Sequence, residues 1–293
     1  MSDPAPTVRP HPDCPLVAAY GLGVDSTAML VEFALRGIRP DLILFADTGG
    51  EKPETYEYLS VIQPFLARVG FPDLVVVRYQ PKRAAYETLE GQCLHTGTLP
   101  SLAYGGKSCS LKYKRTPQDR YILSVYPPAD LVRRGQRVVR AIGFEAGEQR
   151  RRYAHVVKAI GLDAGEEHRL TWAQSAPQVG KRLSREAWLD QKYFVYYYPL
   201  MEWGYDRERC KEVIASVGLP VPIKSACYYC PASKKREILW LQEHHPELLA
   251  RALAIERNAQ PKLTSVKGLG RRFAWADFLD RADDLPLFHG CDC

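Results

Sequence analysis

A strand, a glycine turn and a helix start follow one another near the N-terminus, and this pattern constrains the fold more than any other stretch. Leu16–Tyr20 is a short apolar run that is typical of a buried strand. Gly21 and Gly23 follow, and then Asp-Ser-Thr at 25–27 leads into apolar residues at helical spacing. Such a turn gathers free backbone N–H groups at the positive end of a helix. The stretch therefore predicts a phosphate-binding loop, with an ordinary strand-to-helix turn as the alternative.

The spacing of this turn does not fit two common phosphate-binding motifs. A Walker loop needs a lysine that is absent here, and a dinucleotide fingerprint needs a third glycine where Ser26 stands. The turn instead resembles the Ser-Gly-Gly-x-Asp-Ser loop of the PP-loop ATP pyrophosphatases, which split ATP into AMP and pyrophosphate. The matching positions are Gly23, Asp25 and Ser26, followed by Thr27. Tyr20 or Gly21, depending on the register, stands where that family has its first serine.

A second motif follows the next apolar strand, at residues 41–45. Residues 47–56 read Asp-Thr-Gly-Gly-Glu-Lys-Pro-Glu-Thr-Tyr, with Pro53 placed well for the first turn of a helix. The segment resembles the Asp-Thr-Gly…Pro-Glu-Thr-Tyr signature of the phosphoadenosine-phosphosulfate (PAPS) reductase branch of the PP-loop superfamily. The resemblance implies that Asp47, Thr48 and Gly49 lie beside a nucleotide. The alternative is a surface loop of similar composition.

The order of strands and helices predicts the fold class. Strand and helix patterns alternate over residues 16–78, which indicates an α/β fold with a parallel sheet and right-handed crossovers. The resemblance implies a doubly wound, mostly parallel sheet of the adenine nucleotide alpha hydrolase-like kind. We expect a flexible tail over 1–15, a PP-loop domain over 16–205 and a smaller helical, cysteine-containing part over 206–293. Residues 91–106 are predicted to be a long loop because they contain four glycines.

Two basic segments are candidates for contacts with an anionic substrate. Cys109-Ser-Leu-Lys112 lies in a cationic cluster before a predicted helix, and it resembles the segment of PAPS-reductase-like proteins that meets nucleotide or substrate. Arg150 follows a predicted strand at 138–144, where the family has its substrate-phosphate loop, and a guanidinium can fork onto a phosphate. For both segments the alternative is a solvated basic loop.

Cysteine spacing predicts a metal site. Cys227 and Cys230 form a Cys-x-x-Cys pair, which can bind one metal or cluster from a single turn. Cys109 and Cys291, or Cys293 in place of Cys291, would complete four thiolates, a set that suits zinc as well as iron–sulfur. The resemblance implies a [4Fe–4S] cluster, because several PP-loop enzymes of the reductase and thiolation branches carry one. A redox dithiol and unpaired thiols are the alternatives.

Two further groups of cysteines are a pair in the C-terminal tail and a pair that we interpret as background. Classical PAPS reductases carry a nucleophilic cysteine near the C-terminus in a Glu-Cys-Gly-x-His context, whereas this chain ends with His289-Gly-Cys291-Asp-Cys293. Cys291 or Cys293 is therefore either a ligand or a tail nucleophile. Cys93 and Cys210 are interpreted as background, with Cys210 buried on a helix.

Composition sets the broad class of protein. Of the 293 residues, 46% are hydrophobic and 25% are charged, as in soluble globular proteins. No apolar run approaches bilayer length, and the proline-rich N-terminus has no signal peptide pattern. We expect no membrane partner and a cytoplasmic location, where the eight cysteines would be thiols or metal ligands. The net charge of +6 permits an anionic partner without requiring one.

The leading hypothesis for function combines these features with the resemblance. It is ATP-dependent adenylation of a substrate with release of pyrophosphate, in support of sulfur transfer to, or modification of, a nucleobase in tRNA, DNA or a small nucleotide. Residues 21–27 would hold the phosphates, Asp47 would reach Mg²⁺ or the attacking oxygen, and Lys112 and Arg150 would neutralise the leaving pyrophosphate. Cys109 would stand beside the cluster that presents sulfur.

Two other functions remain open at this point. In the first, the chain is a thiol-dependent sulfonucleotide reductase, in which a tail cysteine attacks sulfur and releases sulfite. In the second, it is a non-catalytic nucleotide-sensing subunit of a modification or defence complex. The sequence leaves the oligomeric state open.

Overall fold

The computed structural model describes residues 11–148 and 192–283, which form two compact units that interleave along the chain. Within these ranges, unit 1 contains residues 11–45, 53–77, 120–148 and 192–225. Unit 2 contains residues 46–52, 78–119 and 226–283. The domain boundaries expected at 15 and 205 stay a prediction.

A five-stranded, all-parallel sheet is the centre of the fold, with the strand order β3-β2-β1-β4-β5. The predicted α/β class is thus confirmed. Neighbouring parallel strands must be joined by crossover connections. The helix Val24–Leu35 makes the crossover from the first to the second strand, and the helix Pro53–Arg68 makes that from the second to the third. The strands are β1 (Leu16–Tyr20), β2 (Leu42–Asp47), β3 (Leu74–Arg78), β4 (Val138–Ile142) and β5 (Phe194–Tyr197).

Strand register brings the carboxyl ends of three strands together. Tyr20 of β1 pairs with Phe45 of β2, and Ala19 of β1 pairs with Ile142 of β4. The residues that follow β1 and β4, Gly21 and Gly143, therefore stand at the same edge of the sheet. In open parallel sheets this edge is where ligands bind.

Eleven helices lie entirely within the described ranges. They are α1 (Val24–Leu35), α2 (Pro53–Arg68), α3 (Leu89–Thr96), α4 (Ser108–Ser110), α5 (Thr116–Val125), α6 (Pro128–Arg133), α7 (Pro199–Glu202), α8 (Arg207–Ser216), α9 (Lys235–His244), α10 (Pro246–Ala259) and α11 (Trp275–Asp283). A wider, π-type turn at Leu111–Arg115 joins α4 to α5, and 3₁₀ turns lie at Ser101–Tyr104, Ala146–Glu148 and Gln260–Lys262.

The prediction of a long loop over residues 91–106 is wrong, because most of this stretch is helical. The Thr88 side chain accepts a hydrogen bond from Gly91 N at 3.0 Å and so caps the start of α3. Gly97 ends the helix with φ of 60°, a conformation that glycine adopts without steric cost. The cap and the stop are both ordinary helix signals. The prediction was wrong because it gave more weight to the high glycine content than to these two signals.

Each unit has its own hydrophobic core. In unit 1, α1 and α8 pack together, and their apolar faces join the sheet in a core that includes Phe33, Phe45 and Ile214. In unit 2, α3, α10 and α11 enclose a core that includes Tyr229 and Trp275. The predicted burial of Cys210 is confirmed, because this residue is fully buried on α8. Across the described ranges, no helix combines the length and the apolar character that a membrane span needs.

Candidate functional site

The glycine turn leads into α1 without a side-chain cap. Gly23 is the N-cap residue, and no side chain bonds to the helix start from that position. The first helical hydrogen bond runs from Thr27 N to Gly23 O, at 3.0 Å. Among the described residues, the N–H groups of Val24, Asp25 and Ser26 therefore have no hydrogen-bond partner. Such orphan donors at the positive end of a helix attract an anion.

Short hydrogen bonds within the turn fix its shape. Ser26 Oγ accepts from Gly21 N at 3.1 Å and donates to Gly23 O at 3.2 Å. Thr27 Oγ1 donates to Gly23 O at 2.9 Å and lies 3.1 Å from the hydroxyl of Tyr20. Tyr20 and Thr27 are buried, and burial raises the pKa of Tyr20. Tyr20 and Thr27, which are both predicted site residues, thus stabilise the turn from its buried side.

Leu22 supplies a strained backbone position in the turn. Its φ is 58°, a left-handed conformation that is uncommon for a residue with a Cβ, and its side chain is fully buried. Such strain persists only where the surroundings hold it, and it is concentrated at functional sites. The turn is therefore held in a conformation that the isolated sequence would disfavour.

Gly143, the first residue after β4, contacts the start of α1. A Cβ at this position would lie 2.8 Å from Ser26 Cα and 2.9 Å from Ser26 N. A side chain on residue 143 would therefore collide with the backbone at the start of α1, and only glycine fits there without a shift of the turn. The sequence analysis placed a substrate loop after this strand, but it did not identify Gly143 as a neighbour of the glycine turn.

Arg207 pairs with Asp25 and adds a cation to the turn. Its Nη1 donates to both carboxylate oxygens of Asp25, each at 2.6 Å. The pair is partly exposed. Arg207 is the first residue of α8 and directly follows the helix cap Asp206. Nothing in this local sequence indicates that Arg207 pairs with Asp25. Sequence reasoning missed this residue for that reason.

The Asp-Thr-Gly segment is held within unit 2 by its own side chains. Asp47 Oδ1 accepts from Gly49 N at 2.8 Å, and Asp47 Oδ2 accepts from Arg78 Nε at 2.9 Å. Gly49 has φ of 71°, and a Cβ there would lie 2.6 Å from the Thr88 methyl group. The predicted roles of Asp47, Thr48 and Gly49 at a nucleotide stay predictions.

The same segment packs on the Cys-x-x-Cys turn, a relationship that the sequence analysis did not anticipate. Thr48 Oγ1 lies 3.1 Å from Cys227 Sγ, and Gly50 O accepts from Tyr228 N at 2.8 Å. A Cβ at Gly50 would lie 2.6 Å from the hydroxyl of Tyr229, so this contact requires glycine. The two motifs thus form one structural element within unit 2.

An ion pair between a partly exposed lysine and a buried glutamate lies beside Cys227. Lys114 Nζ is 3.1 Å from Glu51 Oε1, and the Glu51 side chain is fully buried. Burial tends to lower the pKa of Lys114, but the negative charge of Glu51 outweighs it and the pKa is raised. Burial and, to a smaller extent, the charge of Glu51 together raise the pKa of Cys227 to about 12, against the opposing effect of Lys114. The Cys227 thiol is therefore neutral near pH 7 in the metal-free protein.

The predicted metal ligands are only partly brought together. Cys230 N donates to Cys227 O at 2.9 Å, so these two cysteines share one tight turn. No group of three or more His, Cys, Asp and Glu side chains is arranged to hold a metal ion in the part of the chain that the structure describes. The place of Cys109 as a third ligand stays a prediction. Cys291, like Arg150, lies outside the described residues.

Lys112 stands among aromatic rings. Its Nζ lies 4.7 Å, 4.6 Å and 5.3 Å from the ring centres of Tyr79, Tyr86 and Tyr113. It donates to Gln92 Oε1 at 2.7 Å and to the Tyr86 hydroxyl at 3.2 Å. Its predicted role at a leaving pyrophosphate stays a prediction.

Cys93 and Cys109 line the same cavity of unit 2. Burial, with smaller effects from Cys109 and Glu90, raises the pKa of Cys93 to about 12. The sequence analysis treated Cys93 as background, and its proximity to Cys109 could be found only in the tertiary structure.

Comparison with known proteins leaves the family of this chain undetermined. No model of a known protein family matches the sequence. No curated protein matches it either. The resemblance to the PP-loop superfamily therefore rests on sequence motifs alone, namely the two at residues 21–27 and 47–56 and the weaker matches at Cys109-Ser-Leu-Lys112 and around Arg150.

Proposed function

We propose that this chain is a PP-loop enzyme that binds ATP through the turn at residues 21–27 and adenylates a substrate. The observation that supports the proposal is the uncapped start of α1, where three consecutive amides have no hydrogen-bond partner among the described residues. Backbone amides at a helix N-terminus suit phosphate because they combine hydrogen-bond donors with a positive dipole.

In the proposed reaction, an oxygen of the substrate attacks the α-phosphorus of ATP. The bond from that phosphorus to the bridging oxygen breaks, and pyrophosphate leaves. Charge builds on the leaving group, and fixed N–H donors stabilise it because they need no reorganisation during the reaction. Ser26 keeps the turn in shape through its bonds to Gly21 and Gly23. The adenylated substrate then has a good leaving group, AMP, for a second nucleophile.

Arg207 has a positioning role in this proposal. Without a partner, the Asp25 carboxylate would itself satisfy the amides at the helix start, because acidic side chains are favourable there. Arg207 binds both oxygens of Asp25 instead. The pair thus leaves the amides for a ligand, and Arg207 neutralises the negative charge of Asp25 near the proposed phosphates.

The Cys-x-x-Cys turn is the candidate site for a resident metal. Cys227 and Cys230 fit two positions of a thiolate site, but the described residues do not complete it. The [4Fe–4S] cluster, and zinc as its alternative, stay predictions, and no step of the proposed reaction depends on either. Mg²⁺ would enter with ATP as part of the substrate. Sulfur transfer, a tRNA or DNA partner and a cytoplasmic location belong to the proposal as expectations from the motifs.

The proposal is tested by incubating the purified protein with α-labelled ATP, Mg²⁺ and candidate nucleic acids or nucleosides. Release of pyrophosphate together with AMP is the expected result. A parallel arm with PAPS and a thiol donor tests the reductase alternative, for which sulfite is the product. ATP binding without either product would favour the nucleotide-sensing alternative.

Paired variants connect the assay to the turn. Ser26→Ala removes the hydroxyl that bonds to Gly21 and Gly23, and it should weaken ATP binding by about tenfold. Ser60→Ala is the matched control in unit 1, because the exposed Ser60 hydroxyl bonds only to Glu57 O of its own helix. Equal affinity in both variants would contradict the assignment of the phosphates to this turn.

A further inference from the structure

Unit 2 contains a cavity of about 240 Å³ with a mixed apolar and polar lining. Leu89, Leu99 and Pro100 form its apolar wall, and Gln92, Ser101 and Lys112 contribute polar groups. Pockets for drug-sized ligands are about 300 to 1,000 Å³ in volume. The cavity therefore suits a ligand smaller than a nucleotide.

The charge of Lys112 is not balanced by a carboxylate in the described ranges, where it forms no ion pair. Its ammonium group is held by neutral partners, namely tyrosine rings and the oxygens of Gln92 and Tyr86. Other cations of unit 2 differ, since Arg78 pairs with Asp47 and Lys114 pairs with Glu51. A cation fixed in this way at a cavity wall attracts an anion.

Two further donors at the cavity point to the same kind of ligand. Gln92 Oε1 accepts from Lys112 Nζ and from the Tyr113 hydroxyl. Because an ammonium group only donates, the amide oxygen must face Lys112 and the amide N–H₂ must face away from it. Ser101 Oγ accepts from Cys109 N at 2.9 Å, which leaves its O–H to donate. In the described part of the chain, neither donor has a partner.

We propose that this cavity binds a small molecule with one oxyanion group on a short apolar body. The oxyanion would accept from Lys112, Gln92 and Ser101, and the apolar body would lie against Leu89 and Leu99. A carboxylate, sulfate or phosphate group offers the acceptors that these donors require. The inference goes beyond the proposed function, because the cavity lies within unit 2 and its occupation needs no ATP.

Binding is tested by calorimetry on the full-length protein without ATP, at constant ionic strength. Benzoate, propionate, methyl sulfate and methyl phosphate are the probes, with chloride as the reference anion. At least one probe should bind saturably, and comparison of the planar with the tetrahedral anions identifies the preferred group. Cys109, which lines the cavity, reports the location: a bound probe should slow its alkylation by iodoacetamide, with Cys14 of unit 1, which belongs to no proposed site, as the internal reference.

Three variants make the test specific. Lys112→Met keeps an unbranched chain among the tyrosine rings and removes the charge, so binding should weaken about tenfold or more. Lys112→Arg keeps the charge and should retain part of the affinity, which separates loss of charge from loss of folding. Lys107→Met removes an exposed neighbouring cation that does not line the cavity, and it should bind as the wild type does.

The proposal is overturned if no probe binds saturably or if bound probe leaves Cys109 alkylation unchanged. It is also overturned if Lys112→Met binds as tightly as the wild type, or if Lys107→Met loses as much affinity as Lys112→Met. Because ATP is absent from every arm, failure here leaves the proposed adenylation standing, and failure of the adenylation assay leaves this result unaffected.

Discussion

Gly143 lies so close to Ser26 that a Cβ on residue 143 would be 2.8 Å from Ser26 Cα. The neighbour is backbone at the start of α1, so the contact cannot be relieved by a side-chain rotation. The contact lies at the edge of the sheet where β1 and β4 end. A side chain on the residue after one strand would therefore displace the turn after another strand.

Gly143→Ala should therefore lower stability and ATP affinity together. Overpacking of this kind lowers the free energy of unfolding by about 1 to 3 kcal/mol. Displacement of the amides should weaken ATP binding by about tenfold or more, which is the order of loss expected when hydrogen-bond donors are misplaced. Urea unfolding and ATP calorimetry measure the two effects. Gly21→Ala is the stability control, because a Cβ there would meet only Ser26 Oγ at 3.8 Å. If Gly143→Ala has the stability and the ATP affinity of the wild type, residue 143 does not lie as close to Ser26 as the structure indicates.

Arg207→Met should weaken ATP binding with little loss of stability. The pair with Asp25 is partly exposed, so its loss should cost no more than about 1 kcal/mol in the free energy of unfolding. The unpaired Asp25 carboxylate would then compete with phosphate for the amides at the helix start. Arg209→Met is the matched control on the same helix, because Arg209 pairs with the exposed Glu212. If both variants bind ATP equally well, Arg207 has no positioning role.

Lys114→Met should destabilise the protein through the partner that remains. Glu51 is fully buried, and an uncompensated buried carboxylate is costly. Because Lys114 itself is partly exposed, we expect a loss of about 2 kcal/mol, below the range for a fully buried pair. The double variant Glu51→Gln/Lys114→Met removes both charges and should recover much of that loss in chemical unfolding. Equal stability of the single and double variants would contradict this account.

Cys210 should contribute to the loss of stability at alkaline pH. Burial raises its pKa to about 12, so the folded state holds the thiol proton more tightly than the unfolded state does. The stabilisation is complete below the pKa of an unfolded thiol, near about 8.5, and it is lost as the pH rises from there towards 12. Several buried tyrosines act in the same direction, so the comparison must be made with Cys210→Ala.

Unfolding of the wild type and of Cys210→Ala should be followed between pH 8 and pH 11. The variant should be less stable at pH 8 because it leaves a small cavity. Its stability should then fall less steeply with pH, and the two curves should converge by an amount on the order of 1 kcal/mol or more. If stability falls equally steeply with pH in the wild type and in Cys210→Ala, the folded state does not raise the pKa of the Cys210 thiol.

Metal analysis tests the Cys-x-x-Cys turn. After anaerobic purification we expect bound iron or zinc, and a broad absorption near about 400 nm would identify an iron–sulfur cluster. Cys227→Ala and Cys230→Ala should each lose the metal, whereas Cys210→Ala should keep it because Cys210 is a buried core residue. Wild-type protein without stoichiometric iron or zinc, or metal retained in Cys227→Ala, would refute the prediction.

Local sequence patterns were sufficient for the elements of the parallel sheet. β1, α1, β2, α2 and β3 were predicted from apolar runs, glycine stops and a proline at a helix start, and the structure places them there. These signals act over a few residues, so they can be interpreted without knowledge of the fold. The helix α3 was missed, although Thr88 and Gly97 are its cap and stop, because the high glycine content of the segment was given more weight.

Contacts between distant segments could not be predicted. The sequence alone determined the α/β class and the glycine turn, because hydrophobic periodicity and glycine conformation are local properties. Only the tertiary structure decided that Arg207 pairs with Asp25, that Gly143 borders Ser26, and that the Asp-Thr-Gly segment packs on the Cys-x-x-Cys turn. Each of these contacts joins residues more than 100 positions apart, and such a contact depends on how the whole chain packs its side chains, which local patterns do not specify.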